Sequence, residues 1–547
     1  MPQTTIYSAR KIITMNPNRP EASHVAVREG RILGAGSLEE LAGWGEYTLD
    51  ERFADMILMP GLVEGHAHSM EGALWAFTYL GWFDRMDPDG KLWEGVKSVE
   101  AAVARLAEAE KAMSDDDAPL LGWGLDPIYM DNVRMTRADL DRVSQTRPVG
   151  VLHASGHILN VNTKGLELAG LLKEGTDHPG IPLGEDGLPT GELKSPEIIM
   201  PAGKHVGMDR AFLAADENGL RQYGRLCVRA GVTTSSDLGQ QLDETLVEIF
   251  RKVTAEDGYP VCLVAFRINF GMSPADLVAY TASLADLSTD RLELGKIKVV
   301  ADGSIQGFSA RLQWPGYYNG APNGLWYVAP EQLAEIYERA LAAGVQVHTH
   351  TNGDEATQLT IETLEAALRK HPDFDHRFTL QHCQLASDAQ FRKMARLGMC
   401  VNLFANHHFY WGDEHYRLTV GPERAERMNA CRSALDAGVP MTIHSDAPVT
   451  PLGPLFTASA AATRRTASGR TQGDAQKISV TEALYAVTMG AAITMKMDDR
   501  IGSIETGKRA DFAVLYDDPT AATPEGLKDV RVWGTVQGGR IFAAHGI

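Results

Sequence analysis

Apolar and polar positions follow two alternating rhythms through the middle of the chain. Short runs rich in Val, Ile, Leu and Thr give way to polar turns, and then to stretches where apolar residues return every three or four positions. The short runs are "MILMPGLVEGHAH", "GVTTSSDLG", "YPVCLVAFRIN", "GKIKVVADG", "GVQVHTHTNGD", "HRFTLQHCQ", "MCVNLFANHH" and "VPMTIHSDAP". Each reads as a strand. Between most of them lie helical patterns such as "DETLVEIFRKVTAED", "PEQLAEIYERALAAG" and "SDAQFRKMARLG", several ending in Gly just before the next strand. Strand and helix alternating across eight strands predict an α/β fold, a TIM-like (β/α)8 barrel.

Two regions break the rhythm. Residues 81–210 separate the first strand from the second and are too long for a loop. They carry a helical "SVEAAVARLAEAEKAM", an aromatic "LLGWGLDPIYMDN" and a Gly/Pro-rich "HPGIPLGEDGLPTGEL", and predict an inserted subdomain over the barrel mouth. Residues 1–58 and 500–547 instead hold short alternating strands with Gly turns, "TTIYSARKIITMN" and "VRVWGTVQGGRIFAAHGI" among them. Each end alone is too small for a core, so together they predict a composite β-sandwich. The barrel itself takes residues 59–80 and 211–499.

Composition narrows the partners. The 547 residues are 44% hydrophobic and 22% charged, and 71 acids against 52 bases give a net charge of −19. That balance disfavours nucleic acid and anionic membranes. No apolar run is long enough to span a bilayer, and the N-terminal stretch has no signal-peptide-like apolar core. Five cysteines without a Cys-x-x-Cys pair suit reduced thiols in the cytoplasm.

Candidate chemistry gathers at the strand ends, where barrels of this kind carry their sites. His66 and His68 leave one face of the first strand, a spacing that suits a metal ion or a chance surface pair. Lys298 and Asp302 close the fourth strand, His350 the fifth, His382 the sixth and Asp446 the eighth. Five of eight strands thus end in a possible ligand. Lys298 could instead form a buried ion pair with Asp302, and Lys296 shares its face.

On "PGLVEGHAHS", "LGKIKVVADGSIQG", "VHTHTNGDEA", "HRFTLQHCQL", "DAGVPMTIHSDAPVTPLGPL" and "IGSIETGKRADFAVLY", the chain resembles the metal-dependent amidohydrolase superfamily, in its N-substituted formamide deformylase-like branch. The resemblance runs nearly end to end and includes the insert, through "GHILNVNTKGLELAGL" and "GLPTGEL". It implies hydrolysis of an amide, N-acyl or formamide C–N bond in a small, apolar or aromatic molecule. His66, His68 and Asp446 would bind the more buried metal, and His350 and His382 the second. Lys298, carboxylated by CO2, would bridge the two. Asp446 would also carry the proton from water to the leaving group. Two zinc ions are implied, with iron or manganese as alternatives, and a homodimer is the implied assembly.

Several residues fall outside that pattern. His348 and His444 each precede an implied ligand by two positions and are either buried donors that orient a ligand or satisfied core histidines. His157, within the insert, is a candidate catalytic and substrate-contacting residue. His407 and His408 after the seventh strand, Trp123 and Arg311 are candidates for substrate contact, against a packing role for each. Arg267 is a second candidate carboxylate clamp. A deaminase of the same superfamily would typically carry His-x-x-Glu on the fifth strand and lack the bridging lysine, whereas this strand ends in "HTNGD". A lactone or ester hydrolase would use the same machinery. A non-enzymatic relative would have lost ligands that this chain keeps.

Overall fold

Each strand-like run stops where its apolar residues meet a polar turn, and eight of these runs hydrogen-bond side by side. The computed structural model describes residues 3–115, 117–156, 158–178, 180–194, 196–208 and 216–544. Its eight-stranded sheet consists of β1 (Leu62–Glu64), β2 (Val232–Gln240), β3 (Cys262–Ile268), β4 (Leu292–Val300), β5 (Val347–Thr351), β6 (Thr379–His382), β7 (Cys400–Leu403) and β8 (Met441–Ile443). Spatial order follows chain order, and all neighbours are parallel. Just beyond β1 and β8, Ala67 and Ala447 form a parallel bridge. There the Asp446 N–H donates to the His66 carbonyl at 3.0 Å and the His68 N–H to the Ala447 carbonyl at 2.7 Å. The bridge closes the sheet into a barrel, with its seam at the first and last strands.

Burial on both faces explains why these strands read as continuous apolar runs. Leu263, Val264, Ala265 and Phe266 on β3 are all fully buried. The helices end where the sequence says. Pro330–Ala343 stops at Gly344 (φ +67°) and Asp388–Leu397 at Gly398 (φ +71°), both left-handed positions that favour glycine, and β5 and β7 follow within a few residues. Ser387 and Gln390 form a capping box at the start of the second of these helices.

Strands from both chain ends share one seven-stranded sheet, in the order Arg540–Ala543, Val532–Gln537, Phe512–Leu515, Tyr47–Pro60, Thr4–Ile13, Glu21–Arg28 and Arg31–Gly36. Ile12, Val25, Phe53, Phe512 and Val536 pack as its core. Tyr47–Pro60 continues into β1 through Gly61, where a Cβ would collide with the Thr233 side chain, so the junction admits no larger residue.

The chain folds as two compact units, residues 1–68 with 227–547, and residues 69–226. The second unit has a five-stranded sheet in the order Glu192–Lys194, Ile158–Val161, Val149–His153, Leu120–Leu125 and Thr78–Tyr79, around a core that includes Leu121, Trp123, Leu159 and Leu193. It begins before residue 81 because Thr78–Tyr79 pairs with Leu120–Leu125. It reaches past residue 210 because Gly72 packs directly on the backbone of Gly219. Among the described residues, no helix is long and apolar enough to cross a membrane.

Candidate metal centre

The C-terminal ends of the barrel strands bring five imidazoles, a carboxylate and an amine together. The His66 ring centroid lies 5.5 Å from that of His68, 4.6 Å from His382 and 4.7 Å from His444. His382 lies 4.4 Å from His350 and 5.0 Å from His444. Asp446 Oδ1 is 3.2 Å from His66 Nε2 and 3.4 Å from His68 Nε2, and its Oδ2 is 3.8 Å from His382 Nδ1. Lys298 Nζ approaches His66 Nε2 at 3.4 Å. Two groups of side chains place ligand atoms within 4.8 Å of one another: His66, His68 and Asp446, and His66, His382 and His444.

Local backbone strain aims these groups. Asp446 (φ +56°), His382 (φ +70°) and Cys383 (φ +47°) all occupy the left-handed region, at a cost of order 1–3 kcal/mol each for residues other than glycine. The surroundings enforce it. The seam bridge holds the Asp446 N–H, and the Cys383 N–H donates to the Thr351 carbonyl at 2.8 Å. Beneath the centre, buried Glu64 ties β1 to the end of β8. Its Oε1 accepts the backbone N–H groups of His66 (3.1 Å) and Ser445 (3.2 Å), and its Oε2 accepts the Ser445 hydroxyl at 2.8 Å.

A buried relay fixes the tautomers. Gln381 Nε2 can only donate, and it points at His348 Nδ1 at 2.8 Å. His348 therefore carries its proton on Nε2, which donates to the Thr494 carbonyl at 3.0 Å. Gln381 Oε1 accepts from Asn402 Nδ2 (2.9 Å) and from His66 Nδ1 (2.8 Å). His66 thus presents its Nε2 lone pair to the centre, the arrangement that orients metal-binding histidines. With both nitrogens engaged, His348 is a positioning residue. The left-handed turn at His382 ends strict strand alternation, so Gln381 and His382 both reach His66.

Electrostatics favour ligands ready to bind. Burial, reinforced by nearby Lys298 and the other imidazoles, holds His66 and His382 well below the ordinary histidine value, and burial takes His444 down to about 3. These rings are neutral and bear lone pairs at pH 7. Burial also pushes the Lys298 amine down to about 7 against the pull of Asp446. For Asp446, burial acts upward, but the hydrogen bond and charge of His68, with His444 and Lys298, outweigh it and keep the carboxyl below its usual range. His382 Nδ1 and both nitrogens of His444 are buried without a hydrogen-bond partner among the described residues. Leaving such a group unpaired costs about 1–3 kcal/mol. Neutral imidazoles with orphaned nitrogens beside an ionised carboxylate are a donor set that fits a divalent ion of the zinc type.

The other sequence candidates are distributed unevenly. His350 Nε2 faces Asn352 Nδ2 at 3.0 Å and the Gly303 carbonyl at 3.4 Å, and belongs to neither group of converging ligand atoms. Asp302 does not pair with Lys298. Its carboxylate accepts the backbone N–H groups of Asn352 (2.9 Å), Gly353 (2.9 Å) and Arg311 (3.0 Å), anchoring the start of helix Asp354–Lys370. Lys296 donates to Gln346 Oε1 at 3.1 Å. His407 and His408 are buried: His407 Nε2 meets His415 Nε2 at 2.8 Å, and His408 Nε2 donates to the Ala460 carbonyl at 3.1 Å. Arg311 holds Glu355 and the Gly324 carbonyl, each at 2.8 Å. Arg267 is buried against the backbone carbonyls of Ile268 and Phe270. Trp123 packs on Trp75 and Tyr79 inside the 69–226 unit. His157 lies outside the described residues. Sequence reasoning missed Gln381 and Glu64, although each is a polar residue set in an apolar strand within two positions of a ligand.

A model of the amidohydrolase family matches residues 54–543. The putative amidohydrolase YtcJ of Bacillus subtilis is 27% identical over 97% of this chain and 97% of its own length. The N-substituted formamide deformylase of Arthrobacter pascens is 25% identical over 73% of this chain and 74% of its own. Among solved structures, an uncharacterised metal-dependent hydrolase from Pyrococcus horikoshii superposes with a TM-score of 0.73 at 21% identity, covering 95% of this chain and 99% of that one.

Proposed function

The chain belongs to the amidohydrolase family of metal-dependent hydrolases, and from that premise we propose that it cleaves the C–N bond of an N-acyl or N-formyl amide on an apolar or aromatic small molecule. The observation that carries this reading is Asp446. Its carboxylate is held in a strained backbone conformation within 3.4 Å of both His66 Nε2 and His68 Nε2, and it stays ionised. An ionised carboxylate so placed takes a proton from an attacking water and returns it to nitrogen. An amine leaves poorly unless it is protonated.

His66, His68 and Asp446 would hold one ion, with His382 and His350 at a second. Zinc is the ion that imidazole and carboxylate donors suit best, and iron or manganese share that preference. A divalent ion there supplies Lewis acidity for the carbonyl and a water with pKa near ~7. Lys298, with its pKa near 7, has a large neutral fraction at neutral pH. A neutral amine can add to CO2 with loss of one proton, giving a carbamate anion whose two oxygens could serve two ions. Five free, buried cysteines suit a reducing cytoplasm.

The test is a panel of N-formyl and N-acetyl arylamines with matched aryl esters, assayed for released amine or phenol with zinc-loaded protein in bicarbonate. Amide turnover is expected, falling by about 10²–10⁴ in Asp446→Asn assayed at zinc concentrations that saturate the variant. Turnover of esters alone would overturn the C–N assignment, and near-normal turnover in Asp446→Asn would overturn the proton-carrying role.

A further inference from the structure

The centre described above leaves one imidazole without a task. His444 is fully buried. Its ring stacks on His66 (4.7 Å, 22°) and on Phe404 (4.7 Å, 27°), and stands at a steep angle to His382 (5.0 Å, 66°). Neither of its nitrogens has a hydrogen-bond partner among the described residues. A neutral imidazole always carries one N–H and one lone pair, and buried polar atoms are nearly always satisfied. Two orphaned nitrogens on one ring therefore call for a ligand that is not protein.

The comparison with His348 sharpens the point. Both residues precede an implied ligand by two positions, and both are fully buried. His348 is closed off by Gln381 on one side and Thr494 on the other, whereas His444 is open on both. One nitrogen from each of His66, His382 and His444 lies within 4.8 Å of the others. Small side-chain rotations bring such a span to the ~2.0–2.1 Å bonds of zinc. His66 donates through Nδ1 to Gln381 and so has a single lone pair, on Nε2. An ion held within that span by His444 is then also the ion that His66 binds.

We propose that His444 is a metal ligand of this chain, adding its imidazole to the divalent first-row ion, such as zinc, that His66 binds. The proposal rests on the reading that the centre holds a metal. It adds an imidazole to the His66, His68 and Asp446 donors of the proposed function.

Zinc-loaded full-length protein titrated against a chromophoric chelator tests it, alongside His444→Phe and Asp446→Asn. Phenylalanine keeps a flat ring against His66 and Phe404, and thermal unfolding of the metal-free forms checks that it does. His444→Phe is expected to lose more than ~100-fold in zinc affinity, beyond the 10–100-fold typical of losing an outer hydrogen-bond partner. Wild-type stoichiometry and affinity in His444→Phe, with loss in Asp446→Asn, would remove His444 and leave the metal reading standing. Failure of the wild-type protein to take up zinc would remove both. If His444→Phe does not fold, zinc-edge anomalous diffraction from wild-type crystals decides. The expected peak lies about 2.1 Å from a nitrogen of His444, and a peak bonded to other residues but not to His444 overturns the proposal.

Discussion

Replacing Gln381 with leucine should damage the centre without touching any ligand. The amide is fully buried and makes three side-chain hydrogen bonds, to His66 Nδ1, Asn402 Nδ2 and His348 Nδ1, at 2.8, 2.9 and 2.8 Å. Leucine fills much the same volume but leaves all three groups unpaired. At about 1–3 kcal/mol for each orphaned group, the folded state loses roughly 3 kcal/mol at the low end, a large share of the ~5–15 kcal/mol that a domain has in total. The His66 ring, no longer held as the Nδ1–H tautomer, should bind zinc about 10–100-fold more weakly. Gln381→Glu makes the complementary test. A carboxylate opposite His348 Nδ1 demands a proton there, while the Thr494 carbonyl still demands one on Nε2. His348 should become an imidazolium inside the barrel, visible as a histidine that stays protonated above pH 7 in NMR titration. Chelator competition and thermal unfolding of the metal-free protein measure the leucine variant. Unchanged zinc affinity in Gln381→Leu, or a neutral His348 in Gln381→Glu, would refute the relay.

Other outcomes follow from the same structure. Glu64 accepts three hydrogen bonds while burial pushes its pKa up to about 7. Glu64→Gln should therefore cost less than about 1 kcal/mol, whereas Glu64→Leu orphans the His66 and Ser445 N–H groups and should cost about 2–6 kcal/mol by chemical denaturation; equal effects would sink this account of the seam. Gly61→Ala should lower thermal stability by about 1–3 kcal/mol through collision with Thr233, and a neutral result would mean the junction can open. Acid stability follows from His153 and His415, which burial holds at about 4 and about 3. Below the unfolded value near ~6.5, the unfolded chain takes up protons that the folded one refuses. Stability therefore falls with pH, by about 1.4 kcal/mol per unit for each histidine, until the folded values are reached. The melting temperature of metal-free protein should drop steadily from pH 6.5 to 5; a flat profile would show these rings to be accessible.

Short apolar runs and Gly stops made the barrel readable from sequence. Those signals are local, and burial on both faces writes parallel strands as unbroken apolar runs. The convergence of His66, His68, His382 and Asp446 was readable for the same reason, since each closes a strand. What the chain does not display is the partner of each ring. His348 and His444 look alike in sequence, and the difference lies in Gln381 and Thr494, which reach His348 from elsewhere in the chain. Alternation along β6 also places Gln381 and His382 on opposite faces, and the left-handed turn that reunites them leaves no residue signature, because neither His382 nor Cys383 is a glycine. The 69–226 unit extends past its predicted limits through a two-residue strand and a glycine contact, both too short to register as a pattern.

The seam between β1 and β8 bears on how the protein is made. Glu64 and Ser445, joined by a 2.8 Å hydrogen bond, stand 381 positions apart, and the centre straddles that joint. A nascent chain still lacking its last barrel strand holds His66 and His68 but has neither Asp446 nor the bridge that orients it. Assembly of the centre must wait until the chain has been made through Ala447. A metal captured there would act as a clasp across this closure, so the metal-free protein should open first at the seam.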